Sequence, residues 1–386
     1  MVRILLFTTA FSACLAFAHE VDFVDKFSQT DSDRLKNGVP KEWLELSEQG
    51  SDGVQYTLGL YYLRELKDYD SAFGYLRLAA DQGDPEAQYH LAELYLVGHG
   101  VERDKQKAAE YLQLSSNQNY APAQFELGRY YHVGILGKRD NAKAKVFFTR
   151  AAEQGSAWAQ YFLGLMHLSA SASDELNEVA AGYFGLAAIQ GHVPSQLQLA
   201  VRYKIGNKLK QDYDLAVKYF QMAANQGDGE GLFYLAEMYE KGLGVKQNNT
   251  KAFEYYQLAI EQNNSRALPQ LANMYKYGKG TKQSYTKALA YYYEALRLSF
   301  SDARYEIGVF YLDGLGIEQD YQKAYDYFKS ASHYNAQAQY KLGELYEQGI
   351  GVDKDIQEAK RWYEQSCEYR ELQGCQALNR LKGIGF

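Results

Sequence analysis

The apolar positions of this chain follow a helical period, and the same pair of helical runs returns about every 36 residues. In residues 84–119, apolar side chains recur at helical spacing over 87–95, a glycine-rich turn occupies 98–100, and a second helical run covers 108–112. Asp84 and Pro85 suit an N-cap and a first helical residue. Asn119 lies in a column that holds glycine or asparagine in every copy except at Ser299, as expected where helices end. The pattern predicts two helices per unit.

Nine copies of the unit align on a Leu–Gly or Leu–Ala pair, or once Ile–Gly, that is followed three residues later by an aromatic side chain. The pairs begin at Leu58, Leu91, Leu127, Leu163, Leu199, Leu235, Leu271, Ile307 and Leu342. Self-similarity at such a period is typical of a solenoid, in which each unit covers the apolar face of its neighbour. We therefore expect an all-α solenoid.

The second helix of each unit carries a small residue and, three residues later, a large ring. The small residues are Ala72, Ala108, Ala144, Ala180, Ala216, Ala252, Ala288, Ala324 and Ala359. The rings are Tyr75, Tyr111, Phe147, Tyr183, Tyr219, Tyr255, Tyr291, Tyr327 and Trp362. We expect the small residue to allow close helix packing while the ring fills the gap to the next repeat. A nucleic-acid stacking platform is the alternative, but it needs a basic track that the chain lacks.

These columns resemble the Sel-1-like repeat, a subfamily of the tetratricopeptide superfamily. Residues 237–245, followed by Lys251, Ala252 and Tyr255, illustrate the match, which covers residues 50–366 in nine copies. The resemblance implies a right-handed α-solenoid of helix–turn–helix repeats with capping helices at both ends. It also implies an adaptor that binds other proteins.

The N-terminus has the features of a secretory signal peptide. Arg3 precedes a short apolar run, which ends in the small-residue exit 16–18. We predict cleavage after Ala18 and therefore a periplasmic or secreted protein. The alternatives are a membrane anchor, for which the run is short, and a lipoprotein attached through Cys14. The remaining divisions are a flexible leader at 19–37, an N-terminal capping helix at 38–49, the repeats at 50–366, and a C-terminal capping helix and tail at 367–386.

Signal cleavage would leave two cysteines, Cys367 and Cys375. They flank the junction between the last repeat and a terminal helix, and a helical hairpin brings such positions within reach of one another. The same spacing resembles that of cysteine-rich secreted members of the family, so we expect a disulfide in an oxidising compartment. Two cysteines without clustered histidines cannot complete a zinc shell. No metal and no cofactor are expected.

The charge balance argues against nucleic acid or an anionic membrane as the principal partner, because 41 basic residues face 48 acidic ones. A small basic group at Lys204, Lys208 and Lys210 is interpreted as a solvated loop. Motifs for metalloprotease, serine hydrolase, β-lactamase and P-loop chemistry are missing from the sequence. We therefore expect a protein that is not an enzyme and has no transmembrane segment after signal cleavage.

In the tetratricopeptide frame, the concave face is lined by first-helix positions two before and two after Leu91. The earlier column is aromatic or apolar and the later one is variable, so we expect an exposed aromatic stripe rimmed by polar residues. The predicted partner contacts are Tyr56, Tyr89, Glu93, Phe125, Arg129, Tyr161, Phe233, Glu237, Tyr305 and Tyr340. The alternative is that the aromatic column is packing between the helices of a repeat.

The functional expectation is a non-catalytic interaction scaffold in the cell envelope that binds a protein or peptide. A close alternative is an exported virulence-type factor that binds host proteins. A third, from another class, is β-lactam binding or hydrolysis, which is associated with some cysteine-rich relatives. The sequence offers no activated serine for it and does not identify the partner.

Overall fold

The computed structural model describes residues 38–168, 174–206 and 209–383, and these residues form helices and turns without a β-strand. The predicted signal peptide, Cys14, the leader and Lys208 lie outside the described residues. By its internal packing the chain divides into two compact units, one ending at His192 and the other beginning at Val193. The expected all-α solenoid is confirmed.

Within its described residues, the first unit has a single helix followed by four helix pairs. Its helices are α1 (Lys41–Glu48), α2 (Asp52–Tyr61), α3 (Tyr69–Asp81), α4 (Pro85–Val97), α5 (Lys105–Asn117), α6 (Ala121–Val133), α7 (Asn141–Glu153), α8 (Ala157–His167) and α9 (Asp174–Ile189). A π-helical turn, Tyr62–Leu66, extends α2. Helix α1 lies within the segment predicted to be the N-terminal cap.

The part of the second unit that the structure describes has five helix pairs and a terminal helix. Its helices are α10 (Val193–Ile205), α11 (Tyr213–Asn225), α12 (Gly229–Lys241), α13 (Asn249–Glu261), α14 (Leu268–Tyr277), α15 (Tyr285–Arg297), α16 (Ala303–Asp313), α17 (Tyr321–Ala331), α18 (Ala336–Gln348), α19 (Ile356–Glu368) and α20 (Leu372–Gly383). Even-numbered helices from α2 to α18 are therefore the first helices of the repeats, and odd-numbered helices from α3 to α19 are the second helices.

The two helices of a repeat approach closely because a small residue on the first faces a large side chain on the second. A Cβ atom added to Gly128 would lie 2.6 Å from the ring of Phe148, and one added to Gly343 would lie 2.4 Å from Tyr363. The large side chains at this second-helix position are all buried. They are Leu76, Leu112, Phe148, Phe184, Phe220, Tyr256, Tyr292, Phe328 and Tyr363.

The predicted ring column lies one residue earlier and has a different role from the expected one. Its rings stack on the first-helix aromatic of their own repeat, as in Tyr95–Tyr111, where the centroids are 5.7 Å apart and the planes differ by 10°. A lysine of the second helix lies over the first-helix ring of this stack: Lys107 Nζ is 5.3 Å from the centroid of Tyr95. The stacking partner of this ring therefore lies within the repeat, and the expectation that the ring also fills the gap to the next repeat stays a prediction.

Buried glutamines help to join successive repeats. Gln118, at the end of α5, donates to the Gln88 side-chain oxygen on α4 at 3.0 Å. Gln88 in turn donates to the backbone carbonyl of Ala80, on the second helix of the preceding repeat, at 3.2 Å. Gln154 and Gln124 repeat the first contact at 2.7 Å. Each such pair satisfies buried polar groups while fixing three helices relative to one another.

The C-terminal helix is attached covalently to the last repeat. Cys367 near the end of α19 and Cys375 in α20 form a disulfide in the structure, with their Cα atoms 4.5 Å apart. Leu378 and Leu381 of α20 are buried in one apolar cluster with Tyr363 of α19. The last repeat therefore has a cover on the side where the repeats stop.

We expect the paired substitution Cys367→Ser/Cys375→Ser to lower the free energy of unfolding of the terminal helices by about 2–3 kcal/mol, because the disulfide closes a short loop. Amide hydrogen exchange in α19 and α20 measures this change. Reduction of the unsubstituted protein is the control and should reproduce the exchange rates of the variant. Unchanged protection in both samples would contradict the prediction.

Candidate functional site

The aromatic column of the first helices is buried, so the expected exposed aromatic stripe is wrong. Phe125 lies 5.8 Å from Phe148, and Phe233 lies 5.7 Å from Tyr256, between the ring centroids. The helical period alone cannot distinguish the side that meets the second helix from the side that faces a partner. Five of the predicted residues keep at most 7% of their surface exposed: Tyr56, Tyr89, Phe125, Tyr161 and Phe233. The two half-buried ones are Tyr305 and Tyr340.

The later column carries charged groups that are partly exposed and held in place. The Tyr89 hydroxyl donates to Glu93 at 3.1 Å, and the Tyr340 hydroxyl donates to Glu344 at 2.5 Å. The same pair therefore occurs in both units, with a tyrosine donating to the glutamate four residues later. In both places the hydrogen bond fixes the position of the glutamate carboxylate beside the tyrosine of the aromatic column.

In the first unit, the charged positions form a cluster across α4 and α6. His90 Nδ1 lies 2.9 Å from Glu93 Oε2, and Arg129 lies 3.5 Å from Glu126. Burial raises the pKa of the Glu126 carboxyl to about 7. Arg129 opposes this shift and Glu93 adds to it, but loss of hydration outweighs the contact with Arg129. Sequence reasoning selected Glu93 and Arg129 but missed Glu126, which lies on a neighbouring column.

In the second unit, Glu237 is held between two lysines. Lys204 from α10 and Lys241 from α12 both contact its carboxylate, Lys241 at 2.5 Å. Burial disfavours the ionised form of Glu237, but the hydrogen bonds from these lysines outweigh it and lower its pKa. Lys204 lies in a helix, so its interpretation as part of a solvated loop is wrong. Lys210 is exposed as expected.

A neighbouring group on α12 and on the 3₁₀ turn that precedes α14 (Ser265–Ala267) combines rings with a cation. The Arg266 guanidinium lies 4.5 Å from the centroid of Phe233 and 5.1 Å from that of Tyr234, and it is 3.5 Å from Glu230. Arg266 itself remains exposed. Sequence reasoning missed it, because it lies outside the two columns considered. Glu230 and Arg266 occupy equivalent positions of successive repeats, 36 residues apart. This equivalence could have identified the pair from the sequence.

The first-helix surface of the second unit is defined here by Tyr234, Glu237, Lys241, Arg266 and Tyr277. Tyr277 at the end of α14 is 58% exposed, and Lys276 Nζ lies 5.1 Å from its ring centroid. This surface presents acidic, basic and aromatic groups together, which suits recognition of a polypeptide. Groups of three or more histidine, cysteine or carboxylate side chains that could hold a metal ion are not found within residues 38–168, 174–206 and 209–383.

The Sel1 repeat family model matches most of the chain. The matched residues are 54–84, 85–120, 121–156, 159–192, 193–228, 229–264, 265–300, 301–333 and 336–368. Curated proteins give no significant match. None of the helices within the described residues has the length and hydropathy needed to cross a bilayer.

Two solved structures are similar to this chain over long stretches. One is a protective antigen present in uropathogenic Escherichia coli strains that displays an SLR fold, with 27% identity over 89% of this chain and 82% of the other, and a TM-score of 0.66. The other is a Sel1 repeat protein from Oxalobacter formigenes, with 27% identity over 61% of this chain and 94% of the other, and a TM-score of 0.51. Proteins of this repeat class are generally non-catalytic scaffolds for protein–protein interaction. With nine matching repeats, this chain belongs to the Sel1-repeat family.

Proposed function

We propose that this protein is an interaction scaffold of the cell envelope that binds a protein or peptide on its first-helix surfaces, which are the surface defined above in the second unit and the charged cluster on α4 and α6 in the first. The observation that carries the proposal is the set of charged side chains held in place by neighbouring helices, above all Glu237 between Lys204 and Lys241. Such groups can recognise a polypeptide without first being ordered, which lowers the entropic cost of binding. Glu93 and Arg129 would serve the same purpose in the first unit.

The buried aromatic positions support the site indirectly. Tyr89, Phe125, Tyr161 and Phe233 fix the first helices against the second helices, and Tyr89 also orients Glu93. Their replacement by alanine would leave cavities in the core. A test of partner binding therefore uses exposed residues.

Photo-cross-linking at Tyr277 tests the proposal. We expect p-benzoylphenylalanine at Tyr277, on the first-helix surface, to capture a partner in native envelope, because this ring is 58% exposed and the Lys276 ammonium lies over it. The same probe at Tyr321, which is 41% exposed at the start of a second helix, is the matched control. Adding Arg266→Ala should weaken capture from Tyr277 by roughly tenfold, the loss typical of one interface arginine. Capture from Tyr321 but not from Tyr277 would contradict the proposal.

The alternative is an exported factor that acts on host proteins. It is favoured by the similarity to the Escherichia coli protective antigen. Fractionation separates the two: retention in the envelope supports the scaffold, and accumulation in the culture medium supports the exported factor. The disulfide between Cys367 and Cys375 suits either oxidising location.

A further inference from the structure

Helix α9 is apolar on two opposite faces. One face packs into the repeat through the buried Ala180, Phe184 and Ala187. The opposite face carries four exposed apolar side chains, at successive spacings of three, seven and three residues. They are Leu176, Val179, Leu186 and Ile189, with exposed fractions of 42%, 40%, 49% and 72%. An ordinary second helix needs only one apolar face.

The outer face of α9 also differs from its counterparts in charge. Within residues 176–189 the only charged side chain is Glu178. The equivalent helix α5 exposes Lys105, Lys107 and Glu110. Charged residues on an outer face normally keep apolar neighbours from associating. Their scarcity on α9 leaves a continuous apolar stripe.

An exposed glycine lies in the middle of this stripe. A Cβ atom added at Gly182 would meet no other atom within 4 Å, so packing within the chain does not require glycine there. Glycine in the interior of a helix destabilises it relative to alanine. It does, however, let a second helix approach closely, as small residues do where two helices cross.

The stripe is symmetric about its centre. Leu176 and Ile189 are equidistant from the point between residues 182 and 183, and so are Val179 and Leu186. If two copies of α9 packed antiparallel about a two-fold axis at that point, Leu176 would face Ile189 and Val179 would face Leu186. A two-fold interface requires this self-complementarity, because each contact occurs twice. A partner of another kind would not require it.

We propose that the outer face of α9 binds a second copy of this chain, with the two helices antiparallel and crossing at Gly182. Val146 of α7 holds the same column one repeat earlier and is 50% exposed, so it extends the apolar patch beside the crossing. The patch has five exposed apolar side chains, far fewer than the roughly 20–30 residues per side of a standard interface. The dimer is therefore reversible.

Dimerisation would place two sets of first-helix surfaces in one particle. A partner with repeated binding segments would then bind more tightly, because its second contact becomes intramolecular. The dimer contact lies on a second helix and is separate from those surfaces. The two proposals can therefore fail independently.

Sedimentation velocity of the full chain, from about 1 μM to about 200 μM, is the first test, since a small interface dissociates within this range. We expect a concentration-dependent monomer–dimer equilibrium. Leu186→Glu should raise the dimer Kd by about a hundredfold, because the contact would bury unpaired carboxylates. The matched control is Leu114→Glu, which changes a residue of the same column that is equally exposed, at 49%. It should dimerise like the unsubstituted chain, and circular dichroism verifies that both variants are folded.

Cysteine cross-linking tests the position of the axis. In a Cys14→Ser background, Gly182→Cys should form a disulfide-linked dimer under mild oxidation, because the two copies of this position meet near the two-fold axis. Gly74→Cys is the control: Gly74 holds the same column in the first repeat and also has no atom within 4 Å of an added Cβ. It should remain monomeric.

Three results would overturn the proposal. They are a monomer throughout the concentration range, equal dimerisation of the Leu186→Glu variant, and equal cross-linking at both cysteine positions. Binding of the monomer to phosphatidylcholine vesicles, lost in Leu186→Glu, would instead assign the stripe to a lipid surface.

Discussion

Replacement of Gly280 by alanine is expected to lower the free energy of unfolding by about 3–5 kcal/mol, because it combines backbone strain with a clash against another repeat. Gly280 has a φ of +69°, and a Cβ atom there would lie 2.0 Å from the carbonyl oxygen of Asn249. Asn249 begins α13, the second helix of the preceding repeat. The clash is with backbone, so the repeats themselves would have to separate.

Gly278 provides the matched control for this prediction, because it lies in the same turn. Its φ is +65°, yet the nearest atom to an added Cβ would be Gln283 Cβ at 3.3 Å. Gly278→Ala should therefore cost about 1 kcal/mol, from the left-handed conformation alone. Urea unfolding followed by circular dichroism compares the two variants. Equal shifts of the midpoint would show that the turn conformation, rather than the contact between repeats, is what requires glycine at Gly280.

The second large effect is a pH dependence that comes from Glu126. Burial raises its pKa in the folded protein to about 7, whereas an unfolded glutamate titrates near 4.5. Between about pH 4.5 and about pH 7, Glu126 therefore keeps its proton in the folded state but has released it in the unfolded state. Folding stability should therefore fall as the pH rises from about 4.5 to about 7, by up to about 3 kcal/mol.

Glu126→Gln should remove this component, because glutamine resembles the protonated carboxyl. We expect the variant to match the unsubstituted protein near pH 4.5 and to exceed its stability at pH 8 by roughly 1–3 kcal/mol. Urea midpoints across this pH range provide the measurement. Glu110→Gln, at an exposed glutamate of α5, is the control. A variant that keeps the full slope would assign the pH dependence to other groups.

Much of the fold could be predicted because contacts in a repeat protein are local in sequence. The left-handed column is one example: Asn119 and Asn263 have φ values of +63° and +62°, and Ser299, the apparent exception, has +69°. Asn335 departs from this expectation with a φ of −126°, and its side chain accepts a hydrogen bond from the Ala338 amide. The eighth copy is one residue shorter at its end, so Asn335 begins the first helix of the last copy instead of ending the helix before it.

The candidate site was predicted less well. Glu93, Arg129 and Glu237 were selected from a variable column, and their side chains are partly exposed, but their role in partner binding stays a prediction. The aromatic column beside them is buried, and Arg266 was missed. Sequence periodicity identifies equivalent positions in the repeats, but it does not show whether the side chain at a position contacts the second helix, another repeat or solvent.

The sequence by itself determined the number of repeats, the helices within them and the turns, because spacing and glycine placement act through local conformation. Only the tertiary structure decided that Phe125 faces Phe148 and that Lys204 meets Glu237, 33 residues later. It alone decided that the outer face of α9 remains exposed. These outcomes depend on how neighbouring helices are rotated against one another, and that rotation is set by the packing of side chains from several repeats at once.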